Sequence, residues 1–96
     1  MLRVEWKQAA LNDRARIAHH IAEGGGPQAA RKLDADFVAK AHTAAQRPKL
    51  YRAGRVRGTH EIVVRPNYVM VCRVTNDAVI VLRVLHARQQ WPQSKT

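Results

Sequence analysis

The fold of this chain is decided by one stretch, Gly54–Pro92, which reads GRVRGTHEIVVRPNYVMVCRVTNDAVIVLRVLHARQQWP. It is rich in Val, Ile and Leu, which favour strands. Two turn-forming dipeptides, Pro66-Asn67 and Asn76-Asp77, interrupt it. The pattern predicts three strands joined by tight turns. We expect them at about His60–Arg65, Tyr68–Thr75 and Ala78–Leu85.

The N-terminal half predicts a strand followed by two helices. Leu2–Trp6 alternates apolar and polar side chains, as a half-buried strand does. Lys7–Glu23 and Gln28–Gln46 carry apolar side chains at helical spacing, and Gly24–Gly26 between them provides a helix end and a turn. Arg47–Thr59 is expected to be a loop.

The predicted order of elements is therefore β-α-α-β-β-β, an α+β fold. An N-terminal strand and an antiparallel helix hairpin pack on a small antiparallel sheet. Two helices cannot cover both faces of such a sheet, so we expect one face to be open or covered by a partner.

Length and charge restrict the function further. The 96 residues fit a single domain, 1–96. The net charge is +10, and residues 47–96 hold ten basic side chains against two acidic ones. A basic half of this kind predicts an acidic partner, which would be nucleic acid, an acidic protein segment or a membrane surface. The alternative is a charged face that only keeps the protein in solution.

Several residues that suggest a special site have a simpler interpretation. The single cysteine, Cys72, lies in an apolar strand and is interpreted as a small buried hydrophobic residue. Gly24–Gly26 do not follow a predicted strand and are not followed by Lys-Ser/Thr, as the glycines of a phosphate-binding loop are. His19 and His20 lack a second ligand pair, so we expect no metal site and no cofactor.

The expected location is the cytoplasm, without membrane association. The N-terminal residues MLRVEWKQ contain no signal-peptide core. The longest purely apolar run, Ala78–Leu82, is too short to cross a bilayer.

An ordered set of short motifs resembles the RelE/ParE superfamily of bacterial type II toxins, and the match extends over nearly the whole chain. The motifs are Val4-Glu5-Trp6, Ala9, Ile17, Gly54-Arg55, Gly58-Thr59-His60-Glu61, Asn67-Tyr68, Arg83-Val84-Leu85-His86-Ala87-Arg88 and Trp91-Pro92. The resemblance implies a growth-inhibiting toxin, associated with plasmid stabilisation. It also implies a cognate ParD/RelB-like antitoxin, acidic and partly disordered, which neutralises the toxin.

The superfamily implies two mechanisms. RelE-like members cut messenger RNA on the ribosome with lysines and arginines of the central strands and a Tyr or His near the C-terminus. This chain has Val69 where those nucleases place an arginine, and Glu61 and Val63 where they place lysines. Only Arg88 matches, while His86 is either a base or a strand-end histidine that hydrogen-bonds locally.

ParE-like members instead inhibit DNA gyrase and have no recognised catalytic residues, and this chain is more similar to that branch. The resemblance then favours a gyrase inhibitor over an enzyme. The candidate target-binding residues are Arg57, Arg65, Arg83 and Arg88, with Trp91 as an apolar anchor. Each arginine has the alternative role of pairing with the antitoxin. A non-catalytic nucleic-acid-binding module is a third hypothesis, although Tyr68 is the only aromatic residue in the last three strands.

Overall fold

The structure is a computed structural model that describes residues 2–47, 51–89 and 91. Its elements are β1 (Arg3–Trp6), α1 (Gln8–Gly25), α2 (Pro27–Gln46), β2 (Arg52–Ala53), β3 (His60–Arg65), β4 (Tyr68–Val74) and β5 (Ala78–His86). The predicted strands and helices are confirmed, and their ends agree within two residues. The short strand β2 is an addition, since it lies in the segment expected to be a loop.

The sheet has five strands in the order β1-β5-β4-β3-β2. The strands β3, β4 and β5 are antiparallel neighbours, as their tight turns require. β1 pairs in parallel with β5, so that Val4 lies opposite Val79. The sheet is therefore mixed, where the sequence predicted an antiparallel one. No turn connects β1 to β5, so local sequence does not fix the direction of this pair.

The helix hairpin forms where the glycines predicted it. The N–H of Gly26 donates to the carbonyl of Ala22 at 3.0 Å and ends α1. Gly26 has φ of 88°, a left-handed conformation that costs glycine little. Pro27 then begins α2, since a first-turn residue needs no N–H donor.

The main core lies between the helix hairpin and one face of the sheet. Leu33, Phe37 and Ala41 of α2 pack there with Met70 of β4 and Val84 of β5. Phe37 is 1% exposed, and burying a side chain of this size contributes about 1.5–3 kcal/mol. The same face carries Cys72, whose predicted burial is confirmed.

The opposite face of the sheet, here called the outer face, is partly covered by the chain itself. Val69, Val71 and Leu85 form a second buried cluster, with Leu82 and Trp91 packed against it. The sequence predicted that this face would be open or covered by a partner. Trp91 lies beyond the last strand and packs back against part of this face, while Val63 stays 46% exposed, and cover by a partner stays a prediction.

Within the residues that the structure describes, neither helix is long and apolar enough to span a membrane.

Candidate target-binding surface

The loop between β2 and β3 brings arginines to the outer face. The N–H of Gly54 donates to the carbonyl of Thr59 at 2.8 Å and closes the loop. The hydroxyl of Thr59 donates to the carbonyl of Val56 at 2.6 Å. A Cβ atom at Gly54 would overlap Oγ1 of Thr59, so the loop requires glycine at this position.

Glu61 of β3 anchors this loop. Its carboxylate is 4% exposed and accepts hydrogen bonds from Nη2 of Arg52 at 3.2 Å and from Nε of Arg55 at 3.1 Å. Nη1 of Arg55 in turn donates to the carbonyl of Gln89 at 3.0 Å. Arg55 therefore links the loop to the turn that follows β5, and Glu61 is already occupied by two cations.

Three exposed arginines remain around this link. Arg57 lies in the loop, Arg73 on β4 and Arg88 in the turn after β5. A Cβ atom at Gly58 would lie 3.3 Å from Nη1 of Arg73, which shows that Arg73 contacts the loop next to Arg57. Within residues 2–47, 51–89 and 91, no carboxylate forms an ion pair with any of the three. Their guanidinium groups keep donors for an external anion.

Trp91 adds an apolar component to the same face. It is partly buried against the cluster of Val69, Val71 and Leu85. We call Arg57, Arg73, Arg88 and Trp91 the outer surface. Sequence reasoning named three of its members and left out Arg73, whose place beside the loop depends on the tertiary fold.

Arg83 lies elsewhere, at the edge of β5 beyond the end of β1. Its Nε and Nη2 donate to the carboxylate of Asp13 in α1 at 2.7 and 3.0 Å. The same carboxylate accepts the N–H of Val84 at 2.9 Å and Nη2 of Arg16 at 2.6 Å. The pairing of β1 with β5 ends at Val81, so the N–H of Val84 has no partner on β1 and donates to Asp13 instead.

The position of Arg83 depends on an irregularity in β5. Val71 of β4 lies opposite Arg83, whereas Cys72 lies opposite Val81, so Leu82 is an extra residue and the strand is bulged. The bulge brings Arg83 within reach of α1. Arg83 therefore forms a structural ion pair, and its role in target binding stays a prediction.

The protonation of Asp13 reflects two opposing effects. Burial raises the pKa of its carboxyl, whereas the hydrogen bonds from Arg83, Val84 and Arg16 lower it. The hydrogen bonds prevail, so the pKa of Asp13 is lowered overall and the group is ionised at neutral pH. No feature of the sequence pattern marked Asp13, since an aspartate in an amphipathic helix usually faces water.

Arg65 is also paired within the chain. Its Nε donates to Oδ2 of Asp36 in α2 at 2.9 Å. Both side chains remain more than a third exposed, at 36% and 41%. The structure therefore separates Arg65 and Arg83 from the outer surface, and each has a helix carboxylate as its partner.

His86 forms a local hydrogen bond at the end of β5. Its Nδ1 accepts the backbone N–H of Arg88 at 3.2 Å, so the neutral ring carries its proton on Nε2. Its ring lies edge-on to Tyr68, with 5.5 Å between centroids. This geometry agrees with a strand-end histidine.

The other residues considered for special chemistry are placed as follows. Burial raises the pKa of the Cys72 thiol to about 12, which makes it unreactive at neutral pH. His19 pairs with Glu23 at 3.2 Å on the exposed side of α1. Over the described part of the chain, no three His, Cys, Asp or Glu side chains meet in an arrangement that would hold a metal ion.

The sequence matches a family over almost its whole length. Residues 4–91 match the family described as the ParE toxin of the type II toxin-antitoxin system, parDE. The chain belongs to this family. The resemblance to the RelE/ParE superfamily and to its ParE branch is thereby confirmed.

Known proteins similar to this ParE-family chain agree with that result. It is 35% identical over 92 residues to "Putative toxin Y4kP" of Sinorhizobium fredii, with 95% of this chain and 94% of that protein covered. A solved structure from the chromosomal ParDE system of P. aeruginosa shares its fold, with a TM-score of 0.81 and 22% identity over 90% of this chain and 96% of that one.

The same fold occurs in the intact E. coli RelBE toxin-antitoxin complex. There the TM-score is 0.66 and the identity 15%, over 93% of this ParE-family chain and all of the other. Because both superfamily branches share the fold, structural likeness does not distinguish their activities.

Proposed function

We propose that this ParE-family toxin inhibits DNA gyrase through its outer surface and does not cut messenger RNA. The observation that carries the proposal concerns the positions that the RelE resemblance implies for catalysis. Val69 is buried at 3% exposure, and the carboxylate of Glu61 accepts hydrogen bonds from Arg52 and Arg55. Neither residue presents the cation that phosphate stabilisation requires.

The acid–base requirement points the same way. Cleavage through a ribose 2′-OH needs a base and an acid on opposite sides of one phosphate. His86 has Nδ1 bonded to the Arg88 N–H, and the ring of Tyr68 is buried between Phe37 and His86. This leaves the outer surface as a place to bind a target, with arginines for anionic groups and Trp91 for an apolar contact.

The antitoxin is the second partner in this proposal. The proteins of similar fold from P. aeruginosa and E. coli come from toxin-antitoxin systems. Excess charge of +8 in residues 47–96 favours an acidic segment that folds when it binds. We propose that a ParD/RelB-like antitoxin neutralises this toxin inside the bacterial cytoplasm.

The test compares two targets with the same purified toxin. With gyrase, we expect loss of supercoiling and accumulation of cleaved DNA. With translating ribosomes, we expect intact message. Cleavage of ribosome-bound message by a preparation that leaves gyrase active would assign the RelE activity instead.

Variants connect the inhibition to the outer surface. Arg57→Ala and Arg88→Ala are each expected to weaken gyrase inhibition about tenfold, or about 1.4 kcal/mol. Arg31→Ala is the matched control, because Arg31 is an exposed arginine on α2, away from this surface. Equal inhibition by all three variants would exclude the outer surface as the target contact.

A further inference from the structure

A cavity of about 520 Å³ opens between α1 and the adjoining ends of β4 and β5. Ile17 and Ile21 of α1 give it an apolar wall, and Tyr68 lines it from the sheet. We call it the α1 cavity. It lies beside α1, and none of the outer-surface residues lines it.

Hydrogen-bond donors surround the apolar wall. Arg16 lines the cavity, and its side chain is 60% exposed. Its Nη2 donates a hydrogen bond to Asp13, and its other N–H groups are available to a ligand. His86 presents Nε2–H, because its Nδ1 accepts the N–H of Arg88. His20, Asn67 and Gln89 are further polar side chains that line it. The described residues that line the cavity include no carboxylate, so it is complementary to an anionic group with an apolar neighbour.

We propose that the α1 cavity binds an apolar side chain and an adjacent carboxylate from the acidic antitoxin segment. An amphipathic acidic segment supplies both groups within one helical turn, since side chains three or four residues apart lie on one face. The identity of the occupant rests on the proposed function, which includes an acidic antitoxin.

A protein segment fits this cavity better than nucleic acid does. Proteins that bind single-stranded nucleic acid typically stack its bases on exposed aromatic side chains. Tyr68 is only 6% exposed, and its ring is held edge-on by Phe37 at 5.8 Å and His86 at 5.5 Å. The aliphatic side chains Ile17 and Ile21 offer contacts to an apolar side chain rather than to a sugar or phosphate.

Two neighbouring histidines provide a matched pair of variants. His20 lines the cavity, whereas His19 is 81% exposed and pairs with Glu23 outside it. His20→Glu places a like charge beside the expected carboxylate, and His19→Glu adds the same charge on the same helix. The probe is the purified product of the reading frame next to the toxin gene, labelled and titrated by fluorescence anisotropy.

We expect His20→Glu to weaken binding of this probe about tenfold and His19→Glu to leave it unchanged. Thermal unfolding of both variants verifies that each is folded. In cells, His20→Glu should still arrest growth but should need more antitoxin for relief. Equal affinities of the two variants would overturn the proposal.

The remaining outcomes separate this inference from the proposed function. If the toxin proves to cut message and spares gyrase, the proposed target is wrong, while the affinity comparison still tests the cavity. A single-stranded oligonucleotide that binds the wild type but not His20→Glu would assign the cavity to nucleic acid. If the neighbouring gene product neither binds the toxin nor relieves growth arrest, the antitoxin part of the proposed function and this inference are both wrong, while the gyrase assay still tests the target.

Discussion

Replacing Asp13 by Asn tests the most connected polar group in the structure. Asp13 is 1% exposed and accepts hydrogen bonds from Arg83, Val84 and Arg16. The asparagine keeps the shape and one carbonyl oxygen for the N–H of Val84. It removes the charge, and its amide N–H₂ faces the donors of Arg83. The variant therefore leaves a partly buried guanidinium without its counterion.

The magnitude follows from the burial of the partners. Removing one member of a fully buried ion pair costs roughly 3–5 kcal/mol. The side chains of Arg83 and Arg16 are 28% and 60% exposed, so water replaces part of the lost interaction. We expect a loss of about 2–3 kcal/mol, below the range for a fully buried pair. For a domain of this size, that loss lowers Tm by about 10–20 °C.

Asp36→Asn is the matched control for this experiment. Asp36 is also a helix aspartate paired with a sheet arginine, Arg65, but both side chains are more than a third exposed. We expect its replacement to cost about 0–1 kcal/mol. Denaturant unfolding at neutral pH, followed by circular dichroism, measures both variants. Equal midpoints for Asp13→Asn and Asp36→Asn would show that the ion pairs of Asp13 stabilise the fold no more than an exposed pair does.

The effect also has a pH dependence of known sign. Because the pKa of Asp13 is lowered in the folded state, its contribution is complete above the unfolded value of about 3.9. The contribution is lost as pH falls through the folded pKa. The stability difference between the wild type and Asp13→Asn should therefore be constant near neutrality and shrink below about pH 4. A difference that persists unchanged at lower pH would contradict this assignment.

Two further predictions concern other parts of the fold. Gly54→Ala should destabilise the protein, because the new Cβ overlaps Thr59. Gly24→Ala places a Cβ with no atom within 4 Å and should stabilise α1 by up to about 1 kcal/mol. Calorimetry that finds the same sign of stability change for both variants would be inconsistent with the loop geometry. Cys72 should resist thiol reagents at mildly alkaline pH in the folded protein and react fully in denaturant, because burial raises the pKa of its thiol to about 12. Rapid labelling of the folded protein would show instead that the Cys72 thiol is accessible to solvent.

The sequence determined most of the secondary structure because its signals are local. Alternating apolar residues marked β1, and helical spacing marked α1 and α2. The dipeptides Pro66-Asn67 and Asn76-Asp77 fixed the two hairpins and hence the antiparallel pairing of β3, β4 and β5. The ordered motifs also identified the superfamily, which the family match confirms.

The candidate site was only partly predictable. Composition indicated a basic sheet half, and Arg57, Arg88 and Trp91 were named in advance and lie on the outer surface. The sequence did not reveal that Arg83 and Arg65 pair with helix carboxylates, since the partners lie 70 and 29 residues away. A pairing over such a distance depends on how the helices cross the sheet.

The order of elements, the charged half and the family follow from the sequence alone, because these depend on neighbouring residues and their spacing. The tertiary structure sets the parallel direction of β1 relative to β5 and packs Trp91 against part of the outer face. It also decided which arginines keep their donors for a partner. A guanidinium is available only if no carboxylate reaches it, and Asp13, Asp36 and Glu61 reach their arginines through the packing of separate elements.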